Sequence, residues 1–83
     1  MIRHDYYGVP LWLMKEYLRD LGAVEAEENL LVADGWQAQV SKANPKHIGS
    51  LVIGGATVEF SGGEALLALM FEKLHGKTLR GGG

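Results

Sequence analysis

The stretch "VEAEENLLVADGWQAQVS", Val24 to Ser41, decides how this chain is organised. Asp34-Gly35 is a favoured pair for a tight hairpin turn, because the central positions of such a turn need positive φ. A turn there opposes Ala33 to Trp36 and Leu31 to Ala38. Leu31, Ala33, Trp36, Ala38 and Val40 then share one face, and Gln37, Gln39 and Ser41 take the other. Turn chemistry and the alternation of side chains agree, so an antiparallel hairpin is predicted.

Downstream, "SLVIGGATVEFSG", Ser50 to Gly62, carries a second such pattern. A turn at Gly54-Gly55 pairs Ile53 with Ala56 and Leu51 with Val58, and leaves Phe60 on the same face. Two hairpins make four strands, and "IRHDYY", with Ile2, His4 and Tyr6 on one side, is a candidate fifth. The predicted buried face is Leu31, Ala33, Trp36, Ala38, Val40, Leu51, Ile53, Val58 and Phe60.

Two helices complete the pattern. In "VPLWLMKEYLRDLG", Pro10 suits a first turn, Leu11, Met14, Leu18 and Leu21 recur at helical spacing, and Gly22 can end the helix. In "SGGEALLALMFEKLHG", Ser61 and Glu64 have the spacing of a capping box. Leu66, Leu69, Met70 and Leu74 form the stripe there, and Gly76 marks the end. The predicted fold is α+β: a two-layer sandwich with an antiparallel sheet of four or five strands and two helices on one face. "ALLALMF" is apolar nearly all round, which predicts self-association or docking to a protein partner, with Leu67 and Phe71 on the outer side.

The chain has 83 residues, 47% hydrophobic and 22% charged, as expected of one small domain with a flexible tail at 80–83. Cysteine is absent, which removes disulfide and thiolate chemistry. The chain has no apolar run of the roughly 20 residues a bilayer requires, and "MIRHDYYG" lacks the apolar core of a signal peptide; a soluble, cytoplasmic protein is expected. Net charge is −2; residues 1–40 hold three basic and seven acidic side chains, and residues 41–83 five basic and three acidic. Nucleic acid needs a denser Lys/Arg field than this, so it is not an expected partner.

No arrangement of residues specifies a reaction. His4, His47 and His75 are far apart in sequence, with none of the short spacings of a zinc site, and no metal or cofactor is expected. On a strand, His4 and Asp5 point to opposite faces, while His75 falls in the last turn of a helix, where the dipole favours it. Ser41, Ser50 and Ser61 lie at element ends, where turn bonding and capping explain them. Glu25, Glu27 and Glu28 run along one exposed segment rather than across a cleft. Gly62 and Gly63 at a helix start allow an anion- or phosphate-binding alternative, without the lysine of a phosphate-binding loop.

Contact surfaces are easier to place. "SKANPKHIG", Ser41 to Gly49, is the longest segment without periodicity, and Lys42, Lys46 and His47 make it a small positive surface for an acidic partner. Trp12, beside Tyr6 and Tyr7 in the sequence, is expected at the boundary of the core, with an interface role as the alternative.

"VPLWLMKEYLRDLG", "GSLVIGGATVEFSG" and "KTLRGGG" together resemble an uncharacterised domain family. It occurs at the C-terminus of bacterial proteins related to the sulfur-carrying small subunit of molybdopterin synthase. The resemblance implies a non-enzymatic interaction or accessory role linked to molybdenum-cofactor biosynthesis, and it transfers no catalytic residue. "LRGGG" itself is similar to the ends of ubiquitin-like modifiers and sulfur carriers, whose terminal glycine carboxylate is activated. That similarity implies an alternative role for Gly82 and Gly83 as a carrier tail, although such carriers begin with a hairpin followed by a helix.

Overall fold

A computed structural model of the protein describes residues 1–79. β1 (Ile2–Tyr7) leads directly into α1 (Leu11–Asp20), and a meander of β2 (Val24–Glu27), β3 (Leu30–Ala33) and β4 (Trp36–Lys42) follows. Next come a small hairpin of β5 (Lys46–Ile48) and β6 (Leu51–Ile53), the long strand β7 (Gly55–Gly62) and α2 (Glu64–Lys77). Five strands form one antiparallel sheet in the order β1-β7-β4-β3-β2, while β5 and β6 form a separate two-stranded sheet. The fold is the predicted α+β class.

The turn at Asp34-Gly35 forms in the predicted register, with Ala33 opposite Trp36 and Leu31 opposite Ala38. Gly35 has φ +86°, the region that glycine enters without strain. One turn earlier, Asn29 does the same work at φ +64° and joins β2 to β3. Its amide donates to Glu25 Oε2 at 3.2 Å and its carbonyl accepts from the Val40 amide at 2.8 Å. The Glu25 carboxylate also accepts from Lys15 at 3.0 Å and Arg19 at 2.9 Å, which pins α1 over the β2 edge. These hydrogen bonds, first from the Lys15 ammonium and then from the Asn29 amide, hold the Glu25 pKa below its ordinary range.

The second predicted hairpin does not form. Leu51–Ile53 turns back at Gly49-Ser50 and pairs with Lys46–Ile48, so that Ile48 faces Leu51 and Lys46 faces Ile53. Gly54-Gly55 is instead the junction where the chain leaves the hairpin and enters β7. The reason is that β7 has two partners to satisfy: Ala56, Val58 and Phe60 oppose Tyr6, His4 and Ile2 on one side and Lys42, Val40 and Ala38 on the other. Pairing β7 with β6 would leave one of those ladders unmade. Leu51 is accordingly 63% exposed and leaves the predicted buried face, and Ile53 is only half-buried. Leu31, Trp36, Ala38, Val40, Val58 and Phe60 are buried as expected, Ala33 is half-buried against them, and Ala56 joins them; the Trp36 and Phe60 rings meet at 5.7 Å.

Both helices cover this inner face. α1 contributes Met14, Tyr17 and Leu18, and Gly22 at φ +108° turns the chain toward β2. α2 is rotated from its expected setting, burying Leu67, Met70 and Leu74 while Leu69 is exposed. Leu67, expected outside, is 1% exposed, and Phe71 is half-buried against the core. The helix starts later than a capping box at Ser61 would allow, because Ser61 belongs to β7 and pairs with Gln37. Gly63 is the N-cap, with no side-chain cap bond. Nor does Gly76 end the helix; it runs through to Lys77, with the Thr78 hydroxyl donating to the His75 carbonyl at 2.8 Å.

Two measurements check this arrangement. Phe60→Ala should lose about 3–5 kcal/mol in denaturant unfolding, whereas Leu51→Ala should lose under about 0.5 kcal/mol, the reverse of what shared burial would require. A Cβ on Gly55 would sit 2.1 Å from the Tyr6 carbonyl oxygen, while one on Gly54 meets nothing within 4 Å. Gly55→Ala should therefore lower the melting temperature markedly and Gly54→Ala should leave it nearly unchanged.

Candidate functional site

The β5–β6 hairpin is anchored at its base and open elsewhere. The Gly8 amide donates to the Gly54 carbonyl at 2.9 Å, and the Ala43 amide donates to the Gly55 carbonyl at 3.0 Å. Lys46 Nζ stands 4.8 Å from the centre of the Tyr7 ring, a cation–π contact between hairpin and β1. Beyond that base, Ile48, Leu51 and Val52 are 56%, 63% and 59% exposed.

The Gly8 to Gly54 bond also sets where Trp12 lies. α1 begins three residues after Gly8, so Trp12 in its first turn stands at the same end of the sheet as the hairpin. It is 66% exposed and takes no part in the core, although a boundary position was expected. Lys42, the last residue of β4, opposes Ala56 at the start of β7 and therefore sits at this end too. The fold thus gathers Lys42, Lys46, His47 and Trp12 around one end of the molecule and adds Ile48, Leu51 and Val52. Leu67 and Phe71 are not part of it, being turned toward the sheet.

Sequence reasoning missed the three apolar residues because it spent Leu51 on the core. The signal available was Gly49-Ser50, a turn pair with Lys-His-Ile before it and Leu-Val-Ile after it. Lys46 to Ile48, aperiodic in the sequence, forms a strand.

Elsewhere, the two helices enclose an open groove of about 510 Å³ lined by Asp20, Leu21, Leu69, Glu72, Lys73, Gly76 and Lys77. Lys77 and Asp20 approach to 3.5 Å across it. Its mixed charges favour no one ligand class. Of Gly62 and Gly63, the alternative anion site, Gly62 has a packing explanation, since a Cβ there would lie 2.5 Å from the Gly35 carbonyl oxygen, whereas a Cβ on Gly63, the N-cap of α2, would meet nothing within 4 Å. No group of three or more His, Asp or Glu side chains suited to a metal ion occurs among the described residues. Among those residues no helix is long and apolar enough to cross a membrane. The tail positions Gly82 and Gly83 lie outside the described residues.

The pattern of the archaeal MoaD-like protein family matches residues 2–83. The chain belongs to this family. Membership relates it to MoaD and so to the small subunit of molybdopterin synthase. No curated protein matches the chain.

Near this end of the sheet, Tyr6 is buried and its hydroxyl lacks a hydrogen-bond partner among the described residues. Burial disfavours the phenolate and pushes its pKa up to about 12. An acid whose folded pKa lies above its unfolded value, about 10 for tyrosine, contributes stability that is intact below pH 10 and lost as pH rises toward 12. Tyr6→Phe should therefore hold or raise stability near neutrality and reduce the alkaline loss in unfolding curves recorded across that window.

Proposed function

We propose that this chain is a non-enzymatic docking domain of molybdenum-cofactor biosynthesis, engaging a protein partner through the hairpin end of its sheet. The observation that carries the reading is the β5–β6 hairpin itself. It pairs with no strand of the main sheet, and Ile48, Leu51 and Val52 are each more than half exposed. An isolated two-stranded hairpin is marginal in water. Exposed apolar side chains on such an element, with Trp12 at the same end, have the composition of an interface core, since aromatic anchors dominate binding energy. The register sets Ile48 and Leu51 beside Lys46 on one face of the hairpin and Val52 beside His47 on the other. Lys42 stands at the same end of the sheet, so the matching surface wraps the hairpin and is apolar with a carboxylate rim.

Family membership supports the link to molybdenum-cofactor biosynthesis, and the element order supports an accessory role over a carrier role. Sulfur carriers resemble one another in opening with a hairpin before their first helix. Here the first strand passes straight into α1 and finds its partner in β7, near the other end of the described chain.

Affinity capture from native lysate, with molybdenum-cofactor enzymes sought among the recovered proteins, tests the reading. Leu51→Asp combined with Val52→Asp should weaken recovery of the partner by about a hundredfold, at least tenfold for each residue, while leaving the melting temperature within a few degrees. Lys42→Glu with Lys46→Glu should slow association and remove its salt dependence. A glycine-dependent adenylate or thiocarboxylate at Gly83, detected by mass spectrometry after incubation with an activating enzyme and a sulfur donor, would overturn it in favour of a carrier.

A further inference from the structure

The described structure brings together two histidines that the sequence holds far apart. His4 projects from the inner face of β1 and His75 from the last turn of α2, with ring centres 6.2 Å apart and planes at 85°. Both residues are exposed. Phe71, one helical turn before His75, lies 6.2 Å from it in a stacked arrangement and meets the His4 ring nearly edge-on at 5.4 Å. Tyr6 closes the group, 4.5 Å from His4 and 6.3 Å from His75. Each imidazole is thus flanked by aromatic rings that restrict its rotamers while solvent still reaches it.

We propose that His4 and His75 form an open two-imidazole site for a borderline divalent transition metal such as Ni²⁺ or Zn²⁺, with the remaining coordination positions taken by water. Metal–nitrogen bonds of about 2.0–2.1 Å place the centres of two imidazoles at adjacent positions on one ion roughly 4.5 to 5 Å apart. The observed spacing of 6.2 Å is wider than this, and rotation of the two exposed side chains about their χ angles draws the rings together on the ion. The near-perpendicular planes allow one nitrogen of each ring to converge without stacking the rings. His75 stands at the C-terminal end of α2, where the partial negative charge of unpaired carbonyls favours a cation. Aromatic walls reduce the rotamer freedom lost on binding. Imidazole ligands select Ni²⁺ and Zn²⁺ over Mg²⁺ or Ca²⁺, which prefer oxygen. A bound ion would tie β1 to α2, stabilising the folded state by mass action. The inference is independent of the docking role, since neither histidine belongs to the hairpin end.

Titration of the whole protein with Ni²⁺ near neutral pH, followed by calorimetry and by NMR of the imidazole protons, tests it. The expected result is one saturable site, paramagnetic broadening of His4 and His75 together, and a melting temperature that rises with Ni²⁺ but not with Mg²⁺. His4→Gln and His75→Gln should each weaken binding at least tenfold and abolish the Ni²⁺-dependent rise, with metal-free melting confirming that both variants fold. His47→Gln should change neither. Absence of saturable binding, broadening of only one of the two rings, or equal weakening by His47→Gln would overturn the site.

Discussion

β7 is the constraint on which the other elements depend, because its backbone is hydrogen-bonded on both edges, to β1 and to β4. A strand with two neighbours must bury one complete row of side chains, and Ala56, Val58 and Phe60 provide that row. Its outer row is polar. There Thr57 is nonetheless buried, and its hydroxyl donates to Asp5 Oδ1 at 2.6 Å, tying β7 to β1 across the sheet. Backbone closeness at both ends of the strand depends on glycine: Gly55 lies against the Tyr6 carbonyl and Gly62 against the Gly35 carbonyl. A side chain at either position would push apart the strands that β7 joins.

Once β7 is interior, between β1 and β4, the rest of the chain has few choices. The meander stacks outward from β4, and its far edge is held down by α1 through Lys15, Arg19 and Glu25. α2 leaves the end of β7 and returns over the same face, so its inward side is set by where Phe60 and Met14 leave space. Leu67, Met70 and Leu74 fill that space. The residues between β4 and β7 find no vacant edge beside either strand. They pair with each other as β5 and β6, and this is why an apolar hairpin stands away from the sheet. The exposed surface is therefore a consequence of the core's topology rather than a local property of the hairpin.

Two surfaces of different chemistry result. The hairpin end combines aliphatic side chains, a tryptophan and basic groups, which suits a protein contact. Where β1 meets α2, imidazole and aromatic rings cluster, and this suits a ligand that imidazole can hold.

By itself, the sequence determined the α+β class, the hairpin at Asp34-Gly35, both helices and the inward row from Leu31 to Val40. Each of these rests on a local relation, either a turn residue beside an alternating run or a helical spacing, and local relations survive in a linear string. Tertiary structure decided the rest. Gly49-Ser50 and Gly54-Gly55 are both plausible turns; only the competing demand of β1 for β7 selects between them. Leu67 and Leu69 are equally apolar, and the rotation of α2 over the sheet, not their hydrophobicity, buries one and exposes the other. The meeting of His4 with His75 and the placing of Trp12 at the hairpin end of the sheet depend on how separate elements dock. No periodicity in the sequence records such contacts, because they arise from packing between segments remote in the chain.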